Sequence, residues 1–194
     1  MARPQEFDRR EVVARAMDVF WRNGFEAASI RDLVTATKLN RGSLYNAFGD
    51  KAGLFAAVME AYAAAEPASE LVRALDAGGP ARPAIETFFA ALVERGRADE
   101  ERRGCLIVNT ASELVSRDPQ VAQWMEAAAR RQEETLTALV ERGQAAGEIA
   151  PWRDAKALGR FLFAAAQGLI VTGKVNPDPA VLEDIASVAL SLLD

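Results

Sequence analysis

Apolar residues recur at intervals of three and four along nearly the whole chain, the spacing of one helical face. In the first stretch Val12, Val13, Ala16, Val19 and Phe20 share such a face. They predict a helix over 8–23, stopped by Gly24 in a left-handed conformation. Ser29, followed three residues on by Asp32, reads as an N-cap with a capping box built on a shorter acid. It opens a short helix ending near residue 36. Thr37-Lys38-Leu39 then turns the chain, Asn40 caps a helix over 41–48, and Asp50 caps a fourth reaching about residue 64. Two short helices joined by a tight turn, behind a longer one, make a helix-turn-helix pattern. Ile30, Leu33, Val34, Leu39, Leu44 and Phe48 can close a small core with Val13, Ala16 and Phe20.

Beyond Pro67 the same period predicts helices over 69–75, 84–99 and 104–115, with breaks at Gly78-Gly79-Pro80 and at Pro83. Asp118-Pro119 starts a long helix to about residue 146, Asp154 caps another to about 174, and the last covers 180–193. No sustained two-residue alternation of β-branched residues predicts a strand. The expectation is an all-α protein of about nine helices, with a helix-turn-helix domain over 1–51 and a helical body over 52–194.

Composition narrows the chemistry. The 194 residues include no histidine and one cysteine, Cys105. This excludes Ser-His-Asp and Cys-His nucleophiles, His-ligated metal sites and an internal disulfide. No metal, no cofactor and no enzymatic activity are expected. A free thiol fits a reducing, cytoplasmic compartment. No apolar run follows the N-terminus, so no secretory signal is expected, and 158–171 is too short and too polar to span a bilayer.

The net charge of −5 hides an asymmetry. Residues 1–51 carry nine Lys/Arg against seven Asp/Glu, a balance of +2. The remainder carries fourteen against twenty-one, −7. A basic head on an acidic body points to an anionic partner for the head.

The segment Gly24-Phe25-Glu26-Ala27-Ala28-Ser29-Ile30-Arg31-Asp32-Leu33, then Arg41-Gly42-Ser43-Leu44-Tyr45-Asn46-Ala47-Phe48-Gly49-Asp50-Lys51, closely resembles the TetR (tetracycline repressor-like, AcrR-type) family of transcriptional regulators. The match covers about residues 10–60. The resemblance implies a homodimer binding a pseudo-palindromic double-stranded DNA operator. It also implies a third helix in the major groove, and a helical body whose unknown small-molecule effector releases a repressor.

Leu44 and Phe48 face the small core, which leaves Arg41, Gly42, Ser43, Tyr45 and Asn46 outward. Arg suits the O6/N7 edge of guanine and Asn suits adenine. Gly42 allows close backbone approach. Tyr45 and Lys51 match family positions that contact phosphate, and Ser29 matches a cap that can share its hydroxyl with phosphate. Arg31 is placed to reach the backbone or a base edge. Lys38 stands where the family often has Gly, so it is expected at positive φ, and it adds charge near the DNA.

In the body, Phe88, Phe89, Leu92, Trp124 and Phe161, with Cys105, Asn109, Thr110, Glu113 and Gln167, form a candidate effector site, apolar with a few polar anchors. The alternative is plain helical core. Cys105 begins a helix beside Arg102 and Arg103; it reads either as a reactive thiol or as a small buried apolar residue. The last two helices are apolar on more than one face, the pattern of a four-helix bundle with a second copy.

Overall fold

The computed structural model describes residues 7–194, and the first six residues, read above for a secretory signal, lie outside them. The described residues form ten α-helices and no strand, one helix more than the expected count. They fall into two compact units divided between Ala65 and Glu66.

The first unit holds α1 (Arg9–Ala27), α2 (Ile30–Thr37), α3 (Arg41–Phe48) and α4 (Lys51–Ala65). Helix α4, assigned from the sequence to the body, packs on α1, and this carries the unit boundary past residue 51. Val12, Val13, Ala16, Phe20, Leu33, Leu44, Phe48, Leu54 and Val58 are buried together as its core. The Phe20 and Phe55 rings meet edge-on at 4.9 Å, and Phe25 lies 4.9 Å from Phe55. Gly24 does not adopt the expected left-handed helical conformation. Its φ of 77° and ψ of 176° belong to an extended region accessible to glycine alone, and a further turn of helix follows before Ala28.

The second unit holds α5 (Pro67–Asp76), α6 (Ala81–Ala98), α7 (Leu106–Leu114), α8 (Pro119–Ala145), α9 (Ala155–Val175) and α10 (Pro179–Ser191). Its core joins Leu71, Ile85, Phe88, Phe89 and Leu92 to Leu136, Leu139 and Val140, and to Leu158, Leu162, Leu169 and Leu182. Pro83 does not delay α6, as the sequence suggested. It stands in the first turn, where a backbone N–H has no intrahelical partner to lose. The free N–H groups of that turn are met from afar: the Glu148 carboxylate accepts from Ala81 N at 2.7 Å and Arg82 N at 3.0 Å. The opposite polarity is met at the end of α5, where Arg142 donates to the carbonyls of Leu75 and Ala74 at 2.9 and 3.1 Å. The Glu66 carboxylate, nearly buried, pairs with Arg95 of α6. Among the described residues no helix is long and apolar enough to cross a membrane.

Candidate nucleic-acid interface

Local chemistry fixes each element of the helix-turn-helix. The Asp32 N–H donates to the Ser29 hydroxyl at 3.1 Å, and the Asp32 carboxylate accepts the Ser29 hydroxyl at 2.6 Å and the Ser29 N–H at 3.0 Å. This is the capping box, complete despite the shorter acid. The hydroxyl first, then the Ser29 N–H, with Arg31 adding a little, hold the Asp32 carboxyl below its ordinary pKa. A lowered folded-state pKa makes the cap fully effective above the unfolded-state value and weaker as pH falls through the folded one. It also bears on Ser29 itself. A hydroxyl has one proton to donate, and here Asp32 receives it, so a phosphate contact by Ser29 requires the hydroxyl to leave Asp32.

The turn between α2 and α3 is closed by Lys38 at φ 59°, ψ 18°, the left-handed conformation expected of it. Thr37, buried at its side, donates to the Leu33 carbonyl at 2.7 Å. Asn40 then caps α3, its side chain accepting from Ser43 N at 2.8 Å. Leu44 and Phe48 are buried, and Arg41, Gly42 and Asn46 are exposed, with Ser43 and Tyr45 half-exposed. The Arg41 guanidinium lies 5.4 Å from the Tyr45 ring centroid, one turn along. The stacking holds the arginine along the exposed face of α3 before any ligand arrives. Arg31, early in α2, is also exposed, as is Lys38.

Lys51 begins α4, whose first turn is capped by Asp50 accepting from Gly53 N at 2.8 Å. The Lys51 ammonium donates to the Glu26 carbonyl at 3.2 Å and sits 4.6 Å from the Phe25 centroid. It is thus fixed at the junction of α1 and α4. An ammonium has three donors, so this bond leaves capacity for an anion. Arg9, which sequence reasoning passed over, reaches α3: its guanidinium donates to the Ala47 carbonyl at 2.8 Å. A charged residue at a helix start carries no sequence signal for so distant a partner.

The body residues are not brought to one place. Phe88, Phe89 and Leu92 are buried within the main core of the second unit. Cys105 and Thr110 are buried on α7 and at its N-cap, and Glu113 is half-buried there; Trp124 and Gln167 are half-buried on α8 and α9. Phe161 stands apart: it is 45% exposed, on the outer side of α9, because Leu158, Leu162, Ala166 and Leu169 take the inward face. Asn109 needs no ligand to satisfy it. Its amide donates to the Arg103 carbonyl at 2.8 Å and its carbonyl accepts from Lys174 at 2.9 Å, which ties α7 to the end of α9.

Two protein-family models match the chain. The one described as bacterial regulatory proteins, tetR family, covers residues 12–58, and the tetracyclin repressor-like C-terminal domain covers 81–189. The uncharacterized HTH-type transcriptional regulator YezE of Bacillus subtilis is 33% identical over the full length of both chains. The HTH-type transcriptional repressor ComR of Escherichia coli is 31% identical over 98% of this chain and 90% of its own. A cysteine mutant of the TetR family transcriptional regulator CifR, solved with 26 bp double-strand operator DNA, has 31% identity and a TM-score of 0.85, over 99% of this chain and all of that one.

Proposed function

This chain belongs to the TetR family of transcriptional regulators, which are not enzymes, and on that premise we propose that it is a cytoplasmic, dimeric repressor released from its operator by a small molecule. The observation that carries the DNA-binding part is α3. It is two turns long, capped at both ends, anchored by Leu44 and Phe48, and it presents Arg41, Tyr45 and Asn46 outward. Arg41 and Asn46 read base edges; Tyr45, Lys51, Lys38 and Arg31 hold the phosphate backbone. CifR, bound to operator DNA in its solved structure, supports this reading.

The test is fluorescence anisotropy with a duplex from the chain's own upstream region and with an unrelated duplex, across a salt series. Tyr45→Ala and Lys51→Ala are expected to weaken binding to both duplexes, and Lys51→Ala to reduce the salt slope by about one phosphate. Arg41→Ala and Asn46→Ala are expected to cost about 1–3 kcal/mol on the operator only. An unchanged slope in Lys51→Ala sinks its phosphate role.

Gly42 gives a separate expectation. A Cβ built there meets nothing closer than the Asn40 Oδ1 at 3.4 Å, so the helix itself accepts alanine. Gly42→Ala is expected to leave thermal stability unchanged or raise it by up to ~1 kcal/mol. Operator affinity is expected to fall, because the added methyl stands where the backbone meets DNA. Unchanged affinity removes Gly42 from the interface.

Dimerisation rests on α9 and α10. Ala157, Phe161, Ala164, Gly168, Val171 and Val175 form an exposed small and apolar stripe at alternating four- and three-residue steps. On α10, Val181, Ile185 and Val188, with Leu192 at its C-cap, repeat that spacing. Two such seams on adjacent helices fit a four-helix bundle with a second copy. The effector acts within the second unit, where Cys105, Thr110, Glu113 and Trp124 of α7 and α8 remain its candidate contacts. A ligand regulates only by binding one geometry of the dimer better than another.

A further inference from the structure

Helix α3 has two turns in which to hold a reading face still, and its last turn carries no basic residue. The carbonyls of that turn lack intrahelical donors and lie at the negative end of the helix dipole. The Gly49 N–H meets the Tyr45 carbonyl at 2.8 Å. The Ala47 carbonyl is met by Arg9, whose Nη1 donates at 2.8 Å from 38 residues away. The same guanidinium lies 4.2 Å from the centroid of the Phe48 ring, one of the two residues that anchor α3. One side chain of α1 therefore supplies a hydrogen bond, a cation at the dipole end and a cover for the anchor ring. Helices α2 and α4 also pack on α3.

We infer that Arg9 is a positioning residue for sequence reading. It ties the C-terminal end of α3 to the start of α1, so that Arg41 and Asn46 meet base edges in a single register. The inference rests on α3 being the reading helix, and it places a determinant of specificity outside the helix-turn-helix itself. Base-edge hydrogen bonds are bidentate and demand close geometry, whereas phosphate contacts tolerate small displacements. Loosening α3 at one end therefore lowers operator affinity more than general DNA affinity.

The experiment compares the full-length parent with Arg9→Met, which keeps an apolar stem over Phe48 but has no donor and no charge. Binding to the operator and to an unrelated duplex is measured across a salt series, below the unfolding midpoint of each protein. The expected result is an operator affinity lowered about tenfold, with the unrelated duplex and the salt slope unchanged. A slope smaller by about one phosphate makes Arg9 a backbone contact and overturns the inference. Equal loss on both duplexes, the mark of a loosened fold, overturns it too, as does unchanged operator affinity. If Arg9→Met does not fold, the same comparison on Arg9→Lys decides, with an expected operator loss of about threefold, smaller because the charge remains. A parent that does not prefer the operator sinks the reading of α3 itself, and that result is visible before any variant is made.

Discussion

Replacing Val171 by glutamate is expected to give a folded monomer that no longer holds its operator. Val171 is 48% exposed on α9, between Gly168 and the 70% exposed Val175. Within one chain a charge there stays in water, so the fold should lose no more than about 0.5 kcal/mol. In a two-fold symmetric pairing of the α9 and α10 seams the same residue enters the interface from both copies, and the two carboxylates are desolvated together. Light scattering should show half the parent mass. Anisotropy should show operator affinity lower by roughly a thousandfold or more, because a monomer engages one half-site. Phe161→Glu, ten residues earlier on the same stripe, should do likewise. A Val171→Glu protein that remains dimeric at the parent's concentration places the interface elsewhere.

That stripe also shows where sequence reading stopped. Helix α9 is apolar around most of its circumference, so periodicity finds the helix but not which side faces in. Phe161, which the sequence offers as a candidate effector contact, is turned outward by the structure. Caps were legible because their chemistry is local. Ser29, Asn40, Asp118 and Asp154 each accept from backbone N–H groups two or three residues on. The outward face of α3 was legible for the same reason, since Leu44 and Phe48 fix its rotation. Contacts between distant residues were not. Glu148 capping α6, Arg142 capping α5 and Arg9 holding α3 each join a charged residue to a backbone it does not neighbour in sequence. Asn109 reads from the sequence as a polar anchor of the effector site, but its partners, the Arg103 carbonyl and Lys174, are set by the tertiary structure. The scatter of the candidate effector residues has the same origin: which side chains share a cavity depends on how α6 to α9 pack, not on any local pattern.

Gly159→Ala is expected to destabilise the second unit, against the sign that helix propensity alone gives. In a free helix alanine is favoured over glycine by ~1 kcal/mol. Gly159 is buried where α9 crosses α8, the most extensive helix pair of the molecule. A Cβ there would lie 2.4 Å from the Thr137 Oγ1, 2.9 Å from Thr137 N and 3.0 Å from Thr137 Cα. The hydroxyl can rotate away; the backbone cannot, so the helices must part. Overpacking of this kind costs about 1–3 kcal/mol, and more where rigid elements have to move, which exceeds the propensity gain. At about 2–4 °C per kcal/mol for a chain of this size, the unfolding midpoint should drop by several degrees. Gly168, on the same helix, is the control: it is exposed and a Cβ there meets nothing within 4 Å. Gly168→Ala should raise the midpoint slightly. Both changes belong in the Val171→Glu background, where the outer seam of α9 is unpaired and only packing within the chain is read. Opposite signs at two glycines nine residues apart identify the close approach of α8 and α9 as the cause, and a Gly159→Ala protein as stable as its parent rules that cause out.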